Sequence, residues 1–416
     1  MSPWGHGMLG YKRMAASYPN ELPRLLGQAG YRTLAIGKNH FHPQRNTHGY
    51  GQVILDESGR VESPDFVSDY RQWFNQEAPG LDPDATGIGW NDYRSAPYAL
   101  PERLHPTVWT ADRAVEFLER YADREPFMLK VSFARPHSPY DPPKRFFDLY
   151  ENANLPQASV GEWAERHAMR GQDLPFMTPR GDLGKDQVRR SRQGYYGSIT
   201  FLDEQIARIL AALERRGWLE NTLILFTADH GDMMGDHHLW RKCQPYEGSA
   251  RIPMIVRWGA SMLDAPRGRV LEHPVELRDV APTFLDAAGA LDDPARFEGR
   301  SLLDAVRGTD EGWRGHIDLE HARIYYKECH WHALANARRK YIFHVETAEE
   351  QLFDLENDPG ETRDMARDPK HGEEVRLWRK RLIDHLAPRG ERFVRNGELV
   401  SGRNPVFFGP NFPEKQ

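Results

Sequence analysis

The sequence predicts an α/β protein: a doubly wound sheet flanked by helices, followed by a smaller C-terminal α+β domain. Three observations carry that expectation. Helix-like and strand-like segments alternate four times between residues 20 and 258. Residues 222–227 (TLILFT) are apolar almost without interruption, which suits a parallel strand buried on both faces. Polar clusters rich in Lys, His and Asp stand directly after three of the strands, at the edge where doubly wound sheets bind ligands.

Residues 20–29 carry Leu22, Leu25, Leu26 and Ala29 at helical spacing, Gly30 closes the stripe, and 31–37 (YRTLAIG) follow as the first strand. Thr110 is expected to cap a second helix with Ala111, Ala114, Val115, Leu118 and Ala122 on one face, leading into strand 127–133. In the third unit Tyr195, Ile199, Leu202, Ile206, Ile209 and Leu213 recur at close to 3.6 residues, and Gly217 ends the helix before 222–227. A fourth strand, 254–258, follows Tyr246-Glu247-Gly248. Two long insertions, 43–109 and 140–193, carry Pro, Gly and many aromatics without convincing helix or strand periods; loops of that length shape pockets. After Leu303 the alternation stops. Short strands at 340–345 and 351–355 then precede the turn Asn357-Asp358-Pro359-Gly360, so the division expected is 1–311 for the α/β domain and 312–416 for the α+β domain.

Composition narrows the function classes. Against 61 Asp and Glu stand 55 Lys and Arg, a net charge of −6 over 416 residues, so no global basic field exists to hold nucleic acid or an anionic membrane. Mean hydropathy is −0.72 and no apolar run approaches the ~18 residues needed to span a bilayer, which leaves a soluble protein. Cys243 and Cys329 cannot form a disulfide framework and read as free thiols.

The strand ends carry the chemistry. Lys38-Asn39-His40-Phe41-His42 follows the first strand, Arg135-Pro136-His137 the second, and Asp229-His230-Gly231-Asp232 the third. Asp229 and His230 offer two ligands for a divalent cation, although a capping aspartate beside a core histidine is the ordinary reading of that pair. Lys38 and Lys242 are candidate clamps for a transferring sulfuryl or phosphoryl group, where most single lysines are only solvated surface. His40 and His137 can donate to the same anion or protonate a leaving oxygen; on spacing alone His42 serves as well as His40. His6, His237 and His238 are weaker candidates. Cys243, with no base placed to activate it, reads as a buried thiol.

With these clusters assembled, the chain resembles the type I sulfatases of the alkaline phosphatase superfamily over essentially its whole length. The stretches that carry the resemblance are AGYRTLAIGKNHF, SFARPHSPYDPPKRFFDLY, YYGSITFLDEQIARILAALE, NTLILFTADHGDMMGDHHLW, RKCQPYEGSARIPMIV and LFDLENDPGETRDMA, in family order. The resemblance implies an alkaline-phosphatase-like fold and hydrolysis of a sulfate ester to alcohol and sulfate. It implies that Lys38 and Lys242 bind sulfate, that His40 supports the nucleophile, that His137 serves the leaving oxygen, and that Asp229 and His230 ligate a divalent metal, Ca2+ before Mg2+. It favours His40 over His42, and the ARPHSPYDPP stretch looks nearer to choline, iduronate and bacterial polysaccharide sulfatases than to others. The implied substrate is a sulfated small molecule or glycan.

The sequence also departs from that family. Its nucleophile is a formylglycine made from a Cys or Ser in a Cys/Ser-x-Pro/Ala-x-Arg motif, and neither Cys243 nor Cys329 lies in one; the family's Asp-Asp pair on its first strand is likewise absent. The expectation is an N-terminally truncated sulfatase, whose activity in this form is left open, with neighbouring apolar surface exposed and solubility marginal; an in-frame upstream segment with both motifs would be its source. The alternatives are a phosphate or phosphonate ester hydrolase of the same superfamily, or a non-catalytic remnant. Cytoplasm and bacterial periplasm are equally compatible with the lack of disulfides, and the oligomeric state is not legible.

Overall fold

A computed structural model describes residues 1–57, 63 and 65–413. Among the described residues the α/β part holds five strands: β1 (Arg32–Gly37), β2 (Gln52–Leu55), β3 (Phe127–Ser132), β4 (Ile224–Thr227) and β5 (Met254–Arg257). β1 is central to a parallel sheet ordered β2-β1-β3, with Leu34 beside Gln52 on one edge and Leu129 on the other. Its Thr33, Leu34, Ala35 and Ile36 are buried because the sheet is covered by helices Leu22–Gln28 and Pro106–Arg120, each joined to the strand after it.

Helix Gly184–Arg215 spans both halves of this layer. Ile209 packs with Leu129 and Val131 of β3, and Leu213 joins Phe127 and Ile224, so one helix underlies β3 and β4. No strand among the described residues pairs with both of them. β4 pairs only with β5, and the pairing is antiparallel, Phe226 opposite Ile255. This corrects one element of the sequence reading: 222–227 is not a strand buried on both faces. Phe226 is 39% and Ile255 59% exposed, so the face they share is open to solvent. The class stands, but the sheet is divided.

Other differences are local. The second helix begins at Pro106, four residues before Thr110: Pro suits the first helical position, and the His105 Nδ1 accepts a hydrogen bond from the Thr107 amide at 3.1 Å, taking the capping role. The third helix starts eleven residues before Tyr195, and Gly217 adopts a left-handed φ of +69° just beyond its end. The insertions contain β2 and helix Asp69–Glu77, short elements whose few residues show no period.

The C-terminal part is a four-stranded antiparallel meander, β6 (Ile317–His321), β7 (Trp331–Ala335), β8 (Arg339–His344) and β9 (Glu350–Asp354), backed by helix Gly372–Leu386. β8 and β9 match the expected strands within a residue. Leu334, Tyr341 and Leu352 meet Trp378 and Leu382 of the helix on one face, while Ala333, Ile342 and Phe353 meet Trp163, Met233 and Tyr246 on the other. The buried Lys340 ammonium lies 2.7 Å from Glu247 and 2.9 Å from Glu361, tying β8 to the segment after Lys242. No helix among the described residues is long and apolar enough to cross a membrane.

Candidate active site

Gly37 ends β1 with φ +97°, and a Cβ there would collide with the Ser132 carbonyl oxygen of β3. The chain can therefore turn tightly over the strand end and present Lys38, whose amide donates to that same carbonyl at 2.8 Å. The buried Glu57 carboxylate accepts from the amides of Asn39 and His40, both at 2.8 Å, and fixes the loop. After β3, Arg135 and Asp141 form a buried two-pronged ion pair (2.8 and 3.2 Å) that closes the RPHSPYD loop around His137. After β4, Gly231 approaches the Gly248 backbone too closely for a side chain, and its amide donates to the Ser249 carbonyl at 2.8 Å. Asp232 accepts from the Tyr140 hydroxyl (2.7 Å) and the Arg241 amide (3.0 Å), holding the Asp229-His230 turn against the segment that carries Lys242.

These supports bring five of the six expected residues into one chain of contacts. The Lys38 Nζ is 3.1 Å from the Asp229 Oδ2, and the His230 Nε2 lies 3.7 Å from the same oxygen. The His230 ring stands edge-on to His137, centroids 5.8 Å apart, and the His137 Nε2 meets the Lys242 Nζ. His40 is the exception. It follows in the same loop at φ +59°, and its ring nitrogen bonds the Tyr11 hydroxyl at 3.0 Å. His42 is half-buried two residues further on, while His237 is buried against Trp163 and Tyr246, in the core.

Electrostatics follow from the crowding of cations. Burial, then the charges of Lys242 and Lys38, hold the His137 imidazole well below its ordinary pKa. Burial and Lys38 lower Lys242 to about 8. Partial desolvation would raise the Asp229 carboxyl, but His230 and Lys38 outweigh it and hold it at about 2. Both imidazoles have a fixed orientation: Nδ1–H of His137 donates to the Ser138 carbonyl and that of His230 to the Gly231 carbonyl, each at 2.8 Å, leaving both Nε2 atoms as acceptors.

Sequence reasoning passed over several of these groups. Lys130 of β3, lowered to about 8 chiefly by burial, donates to the Asn39 side chain at 3.0 Å. Asn91 accepts from Lys242 at 3.1 Å, and Trp90 stacks on His137 with centroids 4.1 Å apart. Only the Arg135–Asp141 pair left a signal, opposite charges six residues apart in a Pro-rich stretch. Glu57, Trp90 and Asn91 arrive from the first insertion, whose path no local pattern shows.

The groups implied by the resemblance fit unevenly. The Asp229 carboxylate and the His230 Nε2 converge, in kind a pair of cation ligands, but a hard divalent ion takes six or more, and no group of three His, Cys, Asp or Glu placed to hold a metal occurs among the described residues. A formylglycine has no precursor in either thiol. Cys329 is buried and donates to the Cys243 carbonyl at 3.2 Å, and burial pushes the Cys243 thiol up.

Comparison with known proteins identifies the family. A sulfatase family model matches residues 6–290, and a model for the C-terminal region of N-sulphoglucosamine sulphohydrolase matches 235–387. The chain is 38% identical over 420 residues to an arylsulfatase of Clostridium perfringens (97% of this chain, 85% of the relative). It is 31% identical over 380 residues to a choline-sulfatase of Rhizobium meliloti (86% and 69%). Among solved structures, a phosphonate monoester hydrolase from Silicibacter pomeroyi superposes with a TM-score of 0.75 at 22% identity (93% of this chain, 83% of that one), which speaks to the fold. A family model matched over more than half of its length and a relative at 38% identity place the chain in the sulfatase family, as a sulfuric ester hydrolase of the alkaline phosphatase superfamily.

Proposed function

We propose that the Lys38–Asp229–His230–His137–Lys242 cluster is the sulfate site of this hydrolase, and that its substrate is a sulfated small molecule or glycan. The observation that supports it is the convergence of cationic and imidazole groups from three strand ends. Lys38 and Lys242 neutralise the non-bridging oxygens of the bound anion. His137, neutral with Nε2 facing Lys242, shares a proton with that ammonium where the oxygen leaving sulfur needs one. The buried Glu57 and the Arg135–Asp141 pair hold the two loops in register. Asp229 and His230 would supply two ligands of a divalent metal, which lends Lewis acidity to the sulfate oxygens when bound. We take the metal to be Ca2+ before Mg2+, as the resemblance implies. His40 is assigned a supporting role beside the nucleophile, and the nucleophile itself is not among Cys243 and Cys329. The division into residues 1–311 and 312–416 is part of the same reading.

Calorimetric titration of the 416-residue chain with inorganic sulfate tests the assignment. Lys38→Met and Lys242→Met are each expected to weaken binding by about ten- to a hundredfold, the loss of one charge-assisted hydrogen bond. Sulfate binding indifferent to both substitutions would overturn it. Phosphate binding tighter than sulfate would move the reading to a phosphate or phosphonate ester hydrolase.

A further inference from the structure

Lys242 stands between two non-glycine residues in the left-handed region, Arg241 at φ +67° and Cys243 at φ +71°. Side chains disfavour that region, so a turn built this way persists only where its surroundings over-determine it. Some of the determinants come from the strand-end loops: the Arg241 amide donates to the Asp232 carboxylate at 3.0 Å, and its carbonyl accepts from the Met233 amide at 2.8 Å. The others come from the C-terminal part, which supplies no member of the sulfate cluster. The Cys243 carbonyl accepts two hydrogen bonds, from the Trp331 Nε1–H at 3.1 Å and from the Cys329 thiol at 3.2 Å. Trp331 opens β7, Cys329 precedes it by two residues, and both are buried, 4% and 1% exposed. The Tyr326 hydroxyl donates to the Gln244 side chain at 3.1 Å, and the Arg241 guanidinium lies 4.4 Å over the Tyr325 ring.

We infer that Trp331 and Cys329 are positioning residues for Lys242: by holding the Cys243 carbonyl, the C-terminal part keeps the strained turn in the one arrangement that aims this lysine at the sulfate. The inference rests on the sulfate site proposed above. The Lys242 ammonium meets both the His137 ring and the Asn91 side chain (3.1 Å to the latter), so its reach is committed and its backbone has to stay in place. Removing a donor leaves a buried carbonyl short of a partner. The turn then relaxes out of the left-handed region and carries Lys242 away from those two groups. A thiol is a weak donor beside an indole N–H, so Trp331 carries the larger share.

The experiment is calorimetric titration of the 416-residue chain and its variants with inorganic sulfate, the fold of each being checked by near-UV circular dichroism. Trp331→Phe, which keeps an aromatic ring and removes the N–H, is expected to weaken sulfate binding about five- to tenfold, the loss of one buried hydrogen bond. Cys329→Ala should weaken it about threefold, and Cys329→Ser, whose hydroxyl donates in place of the thiol, should hold the wild-type affinity. A double-mutant cycle separates positioning from a merely structural role. In the Lys242→Met background, Trp331→Phe and Cys329→Ala should each change sulfate affinity by less than about 1.5-fold, whereas in the Lys38→Met background each should keep its full effect. Cys329→Ala carries the same cycle if Trp331→Phe does not fold. Sulfate affinity unchanged in the folded variants, or the same loss in both lysine backgrounds, would overturn the inference while leaving the sulfate site standing. No sulfate binding in the wild type, or binding indifferent to Lys242→Met, would instead overturn the assignment of Lys242 to that site, and this inference with it.

Discussion

The residues that touch the proposed anion owe their positions to buried polar groups behind them. Arg135 and Asp141 are 6% and 2% exposed, and the pair also meets His105 at 3.8 Å, so the loop carrying His137 is closed by charges isolated from water. Removing one partner of such a pair strands the other. Asp141→Asn is therefore expected to lower the stability of the chain by about 3–5 kcal/mol, and replacing both by apolar residues of similar volume to cost less than either single change. Urea unfolding of the three variants checks this, and a double substitution worse than both singles would count against it. Lys38, His137, Asp229 and His230 could be named from their places after strands, and Lys242 from the RKCQPYEG stretch that carries the resemblance. Glu57, Trp90 and Asn91 could not, because nothing in a long insertion states which atoms it will meet.

At the scale of elements, the C-terminal meander concentrates buried neutral histidines. His332 in β7 is fully enclosed, and its pKa lies well below the ordinary value, first through burial and then through Arg403 and Arg389. His330, just before β7, and His344, the last residue of β8, are lowered to about 4, chiefly by burial. Each folded-state pKa lies below its unfolded value, so each histidine takes up a proton on unfolding once the pH drops below ~6.5. Stability should thus be fully present above that pH and fall as the pH is lowered toward 4, by up to ~1.4 kcal/mol per pH unit for each histidine. Urea midpoints measured across this range check the sign; a midpoint that rises on acidification would refute it. β8 and β9 are legible in the sequence as short strand-like pieces, whereas β6 (IDLEH) alternates apolar and polar residues over too few positions to stand out and β7 (WHALA) has no clean alternation.

At the scale of the molecule, the divided sheet leaves its mark on the surface. β3 and β4 rest on one helix but share no ladder, and the β4–β5 piece turns the opposed Phe226 and Ile255 toward solvent. Apolar side chains beside an unpaired strand edge favour association. The isolated chain is expected to sediment as concentration-dependent oligomers, and Ile255→Lys to shift it toward monomer; a monodisperse wild-type monomer would refute this. By itself the sequence determined the alternation of helices and strands, the family, and which residues stand at three strand ends, because periodicity and strand-end chemistry are local. The tertiary structure alone decided that β4 pairs antiparallel with β5, that Thr110 lies inside a helix His105 begins, and that an insertion brings Trp90 against His137 and Asn91 against Lys242. Those outcomes depend on which distant surfaces compete for each edge and side chain, a balance no window of neighbouring residues contains.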